Sequence, residues 1–293
     1  MYFDAEYRRM TVRAYAKINL GLRILRKRTD GYHDIETIFH QIDSYDTIQL
    51  TETTSGIVLE SNSAALPTDS SNLCVRAAQL LQDISHVNDG VRISLTKNIP
   101  VGAGLGGGSS DAAATLKGLV NLWGLALRNH ELKKIALNIG SDVPFFLEGG
   151  TAFATGRGDN LEHVPFELPY WILVATPPVQ VSTSWAYSQI QTCTSTGGLR
   201  AAVDNTKLLP GLLTNDLEEV VFKVYPEVSN LKKIMYDLGA ESALMSGSGS
   251  SVFGLFQEED SANIAALKLS KSYDTSLTPP SFKPAPPSAL GKT

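Results

Sequence analysis

Cysteine is scarce in this sequence, and long apolar runs are missing from it. Only two cysteines, Cys74 and Cys193, occur among 293 residues, and they lie far apart. This excludes a disulfide framework and a cysteine-rich metal site, and two separated thiols are typical of a cytoplasmic protein. The apolar runs, such as residues 171–175, are far shorter than a membrane-spanning helix needs. The sequence therefore predicts a globular protein located in the cytoplasm.

Basic residues form no long run either. The net charge is −5, which argues against general nucleic-acid binding but is compatible with a phosphate ligand, because that needs only local positive potential. The length suffices for two modest domains. A change of composition at residues 162–169 predicts domains at 1–165 and 166–293. The second ends in a tail from Thr275, rich in proline and serine, that is predicted to be disordered at its end.

Glycine is concentrated in one segment. Five glycines fall between Gly102 and Gly108, two serines follow, and an apolar stripe with helical spacing continues to Trp123. The pattern predicts a strand, a glycine loop and a helix N-terminus. Glycines allow positive φ and close approach to a ligand, and the first N–H groups of the helix are free to bind an anion. This segment therefore predicts a phosphate site.

Two other glycine patterns fit the same segment less well. Gly102-x-Gly104-x-x-Gly107 matches the dinucleotide fingerprint, which also needs an acidic residue about 20 positions on, at the end of a strand. The nearest candidate, Glu131, lies in a helical pattern. The phosphate loop of P-loop enzymes needs a lysine after its glycines, and none follows here. A dinucleotide-dependent oxidoreductase thus stays an alternative that rests on the glycines alone.

Four motifs in this order resemble the GHMP kinase superfamily, the small-molecule kinases that include galactokinase, homoserine kinase and mevalonate kinase. They are Ala-Lys-Ile-Asn-Leu at 16–20, the loop at 100–110, Gly-Ser-Asp-Val-Pro at 140–144, and Ser-Gly-Ser-Gly-Ser at 246–250. Asp-Gly-Tyr-His at 30–33, followed by Glu-Thr-Ile-Phe at 36–39, is similar to the members whose substrate is a cytidine-diphosphate-linked methylerythritol. The resemblance covers about residues 11–256.

The resemblance implies an α+β, two-domain fold. Its N-terminal domain is ribosomal-protein-like, its C-terminal domain is ferredoxin-like, and ATP and substrate meet in the cleft between them. It also implies that the γ-phosphoryl of ATP, accompanied by Mg²⁺, is transferred to the 2-hydroxyl of the cytidine-linked polyol, in non-mevalonate isoprenoid synthesis. Another small-molecule kinase of the superfamily, acting on mevalonate, homoserine or a sugar, is the nearest alternative. The oligomeric state stays open.

Two residues are implied to be catalytic. Lys17 matches the active-site lysine of the superfamily, and Asp142 its aspartate. On local pattern alone, Lys17 reads as an exposed strand lysine, and Asp142 as a first-turn residue after a helix cap at Ser141. Phosphoryl transfer to an alcohol needs a base near the hydroxyl and positive charge near the developing oxyanion. A lysine and an aspartate brought together would supply both.

The remaining site residues are implied by the same matching. Asn19, Tyr32, His33, Thr183 and Tyr187 match substrate contacts, with Trp185 competing with Tyr187 for stacking on the cytosine. Asn72 and Lys97 match nucleotide-side residues, although Asn72 also reads as a helix cap. The ATP phosphates are assigned to Pro100, Val101, Gly102, Ala103, Gly104, Leu105, Gly106, Gly107, Gly108, Ser109 and Ser110. Asp111 is left with two interpretations, a helix cap or a Mg²⁺ ligand.

Overall fold

Two long paired strands form the backbone of the first sheet. The computed structural model describes residues 8–190, 193, 196–205 and 209–284. The strands of this sheet are β1 (Arg9–Lys27), β2 (His33–Thr53), β3 (Ile57–Ser61), β4 (Gly90–Thr96), β5 (Thr151–Thr155) and β6 (Asn160–His163). Their order is β3-β4-β2-β5-β6, and β1 pairs with β2. The hairpin between β1 and β2 turns at Asp30-Gly31, a dipeptide that favours turns.

The strand β2 is continuous where its sequence suggests an interruption. The alternation of residues 34–42 and 46–51 reads as two strands separated by the polar Asp43 and Ser44. In the structure, the register moves from Tyr15–Tyr45 to Lys17–Gln41, so several β2 residues lie opposite one residue of β1. The polar residues therefore form a bulge, and pairing with β1 carries the strand across it.

Four helices, which lie between β3 and β5 in the chain, cover this sheet. They are α1 (Leu73–Ser85), α2 (Gly107–Leu122), α3 (Asn129–Ile139) and α4 (Val143–Glu148). The core between helices and strands includes Leu50, Ile93, Leu116 and Phe145, all buried. Because α2 carries alanines on its first turns, it can pack closely on the sheet and on α1, which fixes the position of its N-terminus.

The second sheet has the strand order of a ferredoxin-like fold. Its strands β7 (Trp171–Thr176), β8 (Ser242–Met245), β9 (Val252–Phe256) and β10 (Asp274–Thr278) are antiparallel and lie in the order β10-β7-β9-β8. The connecting helices are α5 (Thr183–Ser188), α6 (Arg200–Asp204), α7 (Leu209–Leu212), α8 (Glu218–Val224), α9 (Pro226–Asp237) and α10 (Glu259–Leu269). This confirms the predicted architecture of the C-terminal half.

The edge strand β10 corrects the interpretation of the tail. The composition of the sequence predicts a tail from Thr275, but residues 274–278 pair with β7. The segment is polar, with Leu277 as its one large apolar residue, so its strand conformation depends on the partner rather than on its own pattern. The disorder predicted for the end of the tail concerns residues 285–293, which lie outside the described residues.

The two sheets share an apolar core. Ile18 and Leu20 of β1 belong to the same buried cluster as Ile172 of β7 and Phe253 of β9. The backbone of Leu22 also bonds to the segment before α8, donating to the oxygen of Thr214 at 2.8 Å. The strand that carries Lys17 is thus in contact with both sheets. A domain boundary at 165/166 stays a prediction, and it falls in the segment between β6 and β7.

Candidate active site

The glycine loop between β4 and α2 packs directly on a second loop, between β8 and β9. Gly104 has φ +78°, and a Cβ there would lie 2.1 Å from the oxygen of Ser246. Ser246 Oγ donates to the oxygen of Gly104 at 3.0 Å, and the N–H of Ser251 donates to the oxygen of Ala103 at 3.1 Å. Only glycine allows this approach, so the serine-rich loop buttresses the glycine loop through backbone contacts.

The N-terminus of α2 leaves backbone donors available. Its cap residue, Gly106, has φ +70° and provides no side-chain cap in the described structure. Ser110 is turned inward, because its Oγ donates to the oxygen of Tyr15 at 2.7 Å. The first N–H groups of this long helix therefore point out beside the loop, where the helix dipole favours an anion. This geometry agrees with the predicted phosphate site.

Lys17 is buried beneath the glycine loop, so its interpretation as an exposed strand lysine is wrong. Its Nζ donates to Asn19 Oδ1 at 2.6 Å and to the oxygen of Gly104 at 3.1 Å. The two side chains meet because residues i and i+2 of a strand share a face. Burial lowers the pKa of Lys17, and the negative charge of Asp142 opposes that shift. Two hydrogen bonds therefore hold Lys17 Nζ between strand β1 and the glycine loop.

Asp142 itself occupies the cap position of α4, where sequence analysis places Ser141. Within the described part of the chain its carboxylate caps no backbone N–H, and Pro144 in the first turn has no N–H to offer. Ser141 Oγ approaches Asp142 Oδ1 at 3.5 Å, the limit of a hydrogen bond. The charge of Asp142 acts on Lys17 and, after burial, helps to raise the pKa of Tyr187. The carboxylate thus lies near both groups and is not used as a helix cap.

A stacked pair of rings lies beside this carboxylate. His33, buried at the start of β2, stacks on Tyr187 of α5 with ring centroids 5.5 Å apart and an angle of 29°. Trp185 instead meets Tyr225 edge to face, at 5.6 Å. The structure therefore places Tyr187, and not Trp185, next to His33. His33 stands at the start of β2, and Tyr187 stands on the short helix α5.

His33 has an unused polar atom. Among the described residues no group bonds its buried Nε2. Burial lowers the pKa of His33, and the positive charge of Lys27 adds to that shift, so the imidazole is neutral at neutral pH. A neutral ring can donate or accept one hydrogen bond at this atom. A buried polar atom without a partner is costly unless a ligand satisfies it.

The other substrate candidates surround the same cleft. Asn19 is buried, and its Nδ2 donates to Thr37 Oγ1 at 2.8 Å. The hydroxyls of Thr183 and Ser248 bond at 2.9 Å, which joins α5 to the second loop. Tyr32 lies at the outer edge and is 57% exposed. The sequence motifs at 16–20, 30–33, 140–144 and 246–250 thus converge on one place.

Comparison with known proteins identifies this arrangement. The family described as GHMP kinases N terminal domain matches residues 72–150, and the one described as GHMP kinases C terminal matches residues 199–275. The chain belongs to the GHMP kinase family. It is an ATP-dependent kinase of small molecules, so the dinucleotide-dependent oxidoreductase considered above is excluded.

Several relatives of this GHMP kinase carry the same name. The 4-diphosphocytidyl-2-C-methyl-D-erythritol kinase of Prosthecochloris aestuarii is 44% identical over 282 residues, covering 93% of this chain and 98% of that protein. The one of Chlorobaculum tepidum is 42% identical over 286 residues, with coverages of 93% and 98%. The crystal structure of a 4-(cytidine 5'-diphospho)-2C-methyl-D-erythritol kinase matches with a TM-score of 0.81 and 34% identity, covering 94% of this chain and 100% of that one.

The nucleotide-side candidates of this GHMP kinase are already bonded within the protein. Asn72 caps α1, because its Oδ1 accepts from the N–H of Cys74 at 2.9 Å, and its Nδ2 donates to the oxygen of Pro67. Lys97 Nζ bonds Asp111 Oδ2 at 2.8 Å and also bonds Asp46. Direct contacts of Asn72 and Lys97 with ATP stay predictions.

The partner Asp46 was missed by sequence analysis. Asp46 Oδ1 accepts the N–H groups of Asn98 and Ile99, at 2.6 and 2.9 Å, just before the glycine loop. A single aspartate in a strand gives no signal for such a contact. Asp111 lies in the second turn of α2, so its interpretation as a helix cap is wrong. Burial raises the pKa of Asp111, while the ion pair with Lys97 opposes the shift and the charge of Asp46 adds to it.

None of the described helices has the length and apolarity to cross a bilayer. Across the same residues, no group of three or more His, Cys, Asp or Glu side chains is gathered as a metal site.

Proposed function

We propose that this GHMP kinase transfers the γ-phosphoryl of ATP to the 2-hydroxyl of 4-diphosphocytidyl-2-C-methyl-D-erythritol. The products are ADP and the 2-phosphate, an intermediate of non-mevalonate isoprenoid synthesis. The observation that carries the proposal is the position of the Lys17 and Asp142 pair between the glycine loop and the stacked rings of His33 and Tyr187. Relatives that are 41–44% identical over 93% of the chain carry this substrate in their names.

The roles of the catalytic pair follow from its chemistry. Asp142 accepts the proton of the 2-hydroxyl as the oxygen forms its bond to the γ-phosphorus. The bond from that phosphorus to the β–γ bridging oxygen breaks, and ADP leaves with the electron pair. Lys17 places positive charge next to the developing negative charge without moving, since Asn19 and Gly104 hold its ammonium. Most of the remaining acceleration comes from positioning.

The rings form the base end of the site. Tyr187 presents a face on which a cytosine ring can stack, and the free Nε2 of His33 can bond the polar edge of that ring. Asn19 and Thr183 supply polar contacts nearer to the reacting group. Such a site disfavours a substrate that lacks the cytosine ring, because the buried imidazole of His33 would then stay unbonded.

ATP is assigned to the glycine loop and the N-terminus of α2. Backbone N–H groups of the loop bind the phosphates. Mg²⁺ neutralises charge on those phosphates when it is bound with ATP, and we expect the phosphate oxygens to provide most of its ligands. Ser109, half-buried in the first turn of α2, is the hydroxyl that can add one. The cytoplasmic location suggested by the two thiols stays a prediction.

The test is an assay of ADP release coupled to NADH oxidation. With ATP and Mg²⁺, we expect turnover with the cytidine-linked substrate and none with mevalonate or homoserine. Turnover with mevalonate alone would contradict the assignment of the base pocket.

The role of Asp142 has its own test. Replacement by asparagine keeps the shape of the side chain and removes the base, so we expect kcat to fall about 10²- to 10⁴-fold while the Kd of ATP stays within twofold. An Asp142→Asn enzyme with full turnover would refute that role.

A further inference from the structure

A tight turn between β5 and β6 carries an arginine to the edge of the base pocket. Gly156 and Gly158 have φ of +67° and +92°, and Arg157 stands between them. The oxygen of Gly156 accepts the N–H of Ile35 at 2.7 Å, which attaches this turn to the start of β2, two residues after His33. The turn therefore has a fixed position relative to the stacked rings.

The side chain of Arg157 is held by its own turn. Asp159 Oδ1 accepts the backbone N–H of Arg157 at 3.1 Å, and Asp159 Oδ2 accepts from its guanidinium Nη2 at the same distance. The guanidinium carbon lies 5.0 Å from the centroid of the Tyr32 ring. A planar cation at this distance from an aromatic face attracts it. Arg157 is thus oriented toward Tyr32 before any ligand binds.

The backbone of Tyr32 is fixed from the other side. Asp30 Oδ1 accepts the N–H of Tyr32 at 3.1 Å, and the oxygen of Tyr32 accepts the N–H of Arg28 at 2.8 Å. Arg28 also bonds the side chain of Asp30. Tyr32 is 57% exposed, and the guanidinium of Arg157 lies against its ring. Removal of that contact would leave an anchored residue with a mobile ring.

We propose that Arg157 is a positioning residue for the cytidine end of the substrate. It holds the Tyr32 ring at the mouth of the pocket formed by His33 and Tyr187. This inference rests on the proposed function, because it assumes that the cytosine of the substrate binds in that pocket. A ring ordered in advance loses less conformational entropy when the base arrives, and the gain is seen as tighter substrate binding. The proposal gives Arg157 no contact with ATP and no part in the chemical step.

The test is a double-mutant cycle between Arg157 and Tyr32. We expect Arg157→Gln to raise the KM of the cytidine-linked substrate and the Kd of CDP about two- to fivefold, the range expected for an exposed cation–π contact. The kcat and the KM of ATP should stay within about twofold. In a Tyr32→Leu background, the same replacement should change the KM less than 1.5-fold, because its target is gone.

Two further variants separate the possible mechanisms. Arg157→Lys keeps the charge but loses the planar group that stacks on a ring, so we expect an intermediate KM. Arg128→Gln is the matched control, because Arg128 is an exposed arginine at the N-cap of α3 that pairs with Glu131 in the first turn. The KM of this variant should equal that of the parent.

Any outcome other than those expected above contradicts the positioning role of Arg157. Equal effects of Arg157→Gln with and without Tyr32 would mean that Arg157 acts directly on the substrate. A changed KM of ATP, or a KM equal to that of the control, would also refute it. Failure of the parent enzyme to bind CDP would refute the proposed function and this inference together. Normal binding of CDP by Arg157→Gln would refute only the inference.

Discussion

Replacement of Gly104 by alanine tests whether the contact between the two loops holds the catalytic lysine. The residue has φ +78°, and an added Cβ would lie 2.1 Å from the oxygen of Ser246 and 3.0 Å from that of Gly249. These are backbone atoms, so no side-chain rotation relieves the overlap. The loops must separate by about 1 Å or more to reach ordinary contact.

The magnitude can be built from the parts that this separation breaks. The left-handed conformation costs a residue with a Cβ about 1–2 kcal/mol. The oxygen of Gly104 accepts from Ser246 Oγ and from Lys17 Nζ, at 3.0 and 3.1 Å, and each buried hydrogen bond that is lost costs about 1 kcal/mol or more. We expect the free energy of unfolding to fall by about 3–4 kcal/mol. A shift of about 1 Å at Lys17 should lower kcat about 10²-fold.

Gly124→Ala is the matched control. Gly124 has φ +64°, and no atom lies within 4 Å of an added Cβ, so this variant has the conformational cost without the overlap. We expect it to lose about 1 kcal/mol and to keep its kcat. Urea unfolding measures the stabilities, and the ADP-release assay measures kcat. If the two variants lose equal stability and Gly104→Ala keeps its kcat, the loop contact does not position Lys17.

Two further predictions concern buried charge. Lys97→Met leaves the carboxylates of Asp46 and Asp111 buried without their cation, so we expect the free energy of unfolding in urea to fall by about 3–5 kcal/mol. Lys133→Met is the control: it removes an exposed ion pair and should cost less than about 1 kcal/mol. Similar losses in the two variants would refute the role of the Asp46–Lys97–Asp111 cluster. Burial lowers the pKa of His40 to about 4, so the unfolded chain, with a histidine pKa of about 6.5, binds the proton first. The contribution of neutral His40 to stability is therefore complete above about pH 6.5 and falls by about 3 kcal/mol toward pH 4. His40→Asn should lose less stability over this pH range. Parallel stability–pH profiles of the two proteins would disprove the prediction.

Local chemistry explains what the sequence predicts well. Positive φ in the loop and a free helix N-terminus are dictated by glycines and by the apolar stripe after them, so the segment at 100–110 is found where expected. The contact between Lys17 and Asn19 follows from the two-residue period of a strand. The cap at Asn72 also agrees with the structure, because a cap involves residues only two or three positions apart.

Long-range contacts explain what the sequence misses. Asp46 meets the glycine loop across 52 positions of the chain, and no local pattern encodes that distance. Lys17 reads as exposed because most strand lysines are, yet the loop at Gly104, 87 positions away, covers it. The polar strand β10 forms because β7 offers an edge. In each case the partner, and not the segment itself, decides the outcome.

The two sheets contribute different parts of one site, so the effect of a substitution depends on whether it moves the sheets relative to each other. Lys17 comes from the first sheet, and its loop contact is buttressed by Ser246 from the second. Thr183 joins Ser248 across α5 and the same second loop. A substitution that separates the sheets slightly would therefore disturb phosphate binding, the catalytic lysine and the base pocket together. Substitution of Arg157 in the turn between β5 and β6 should instead change substrate affinity alone, because that turn bonds to β2 at Ile35, at the edge of the pocket.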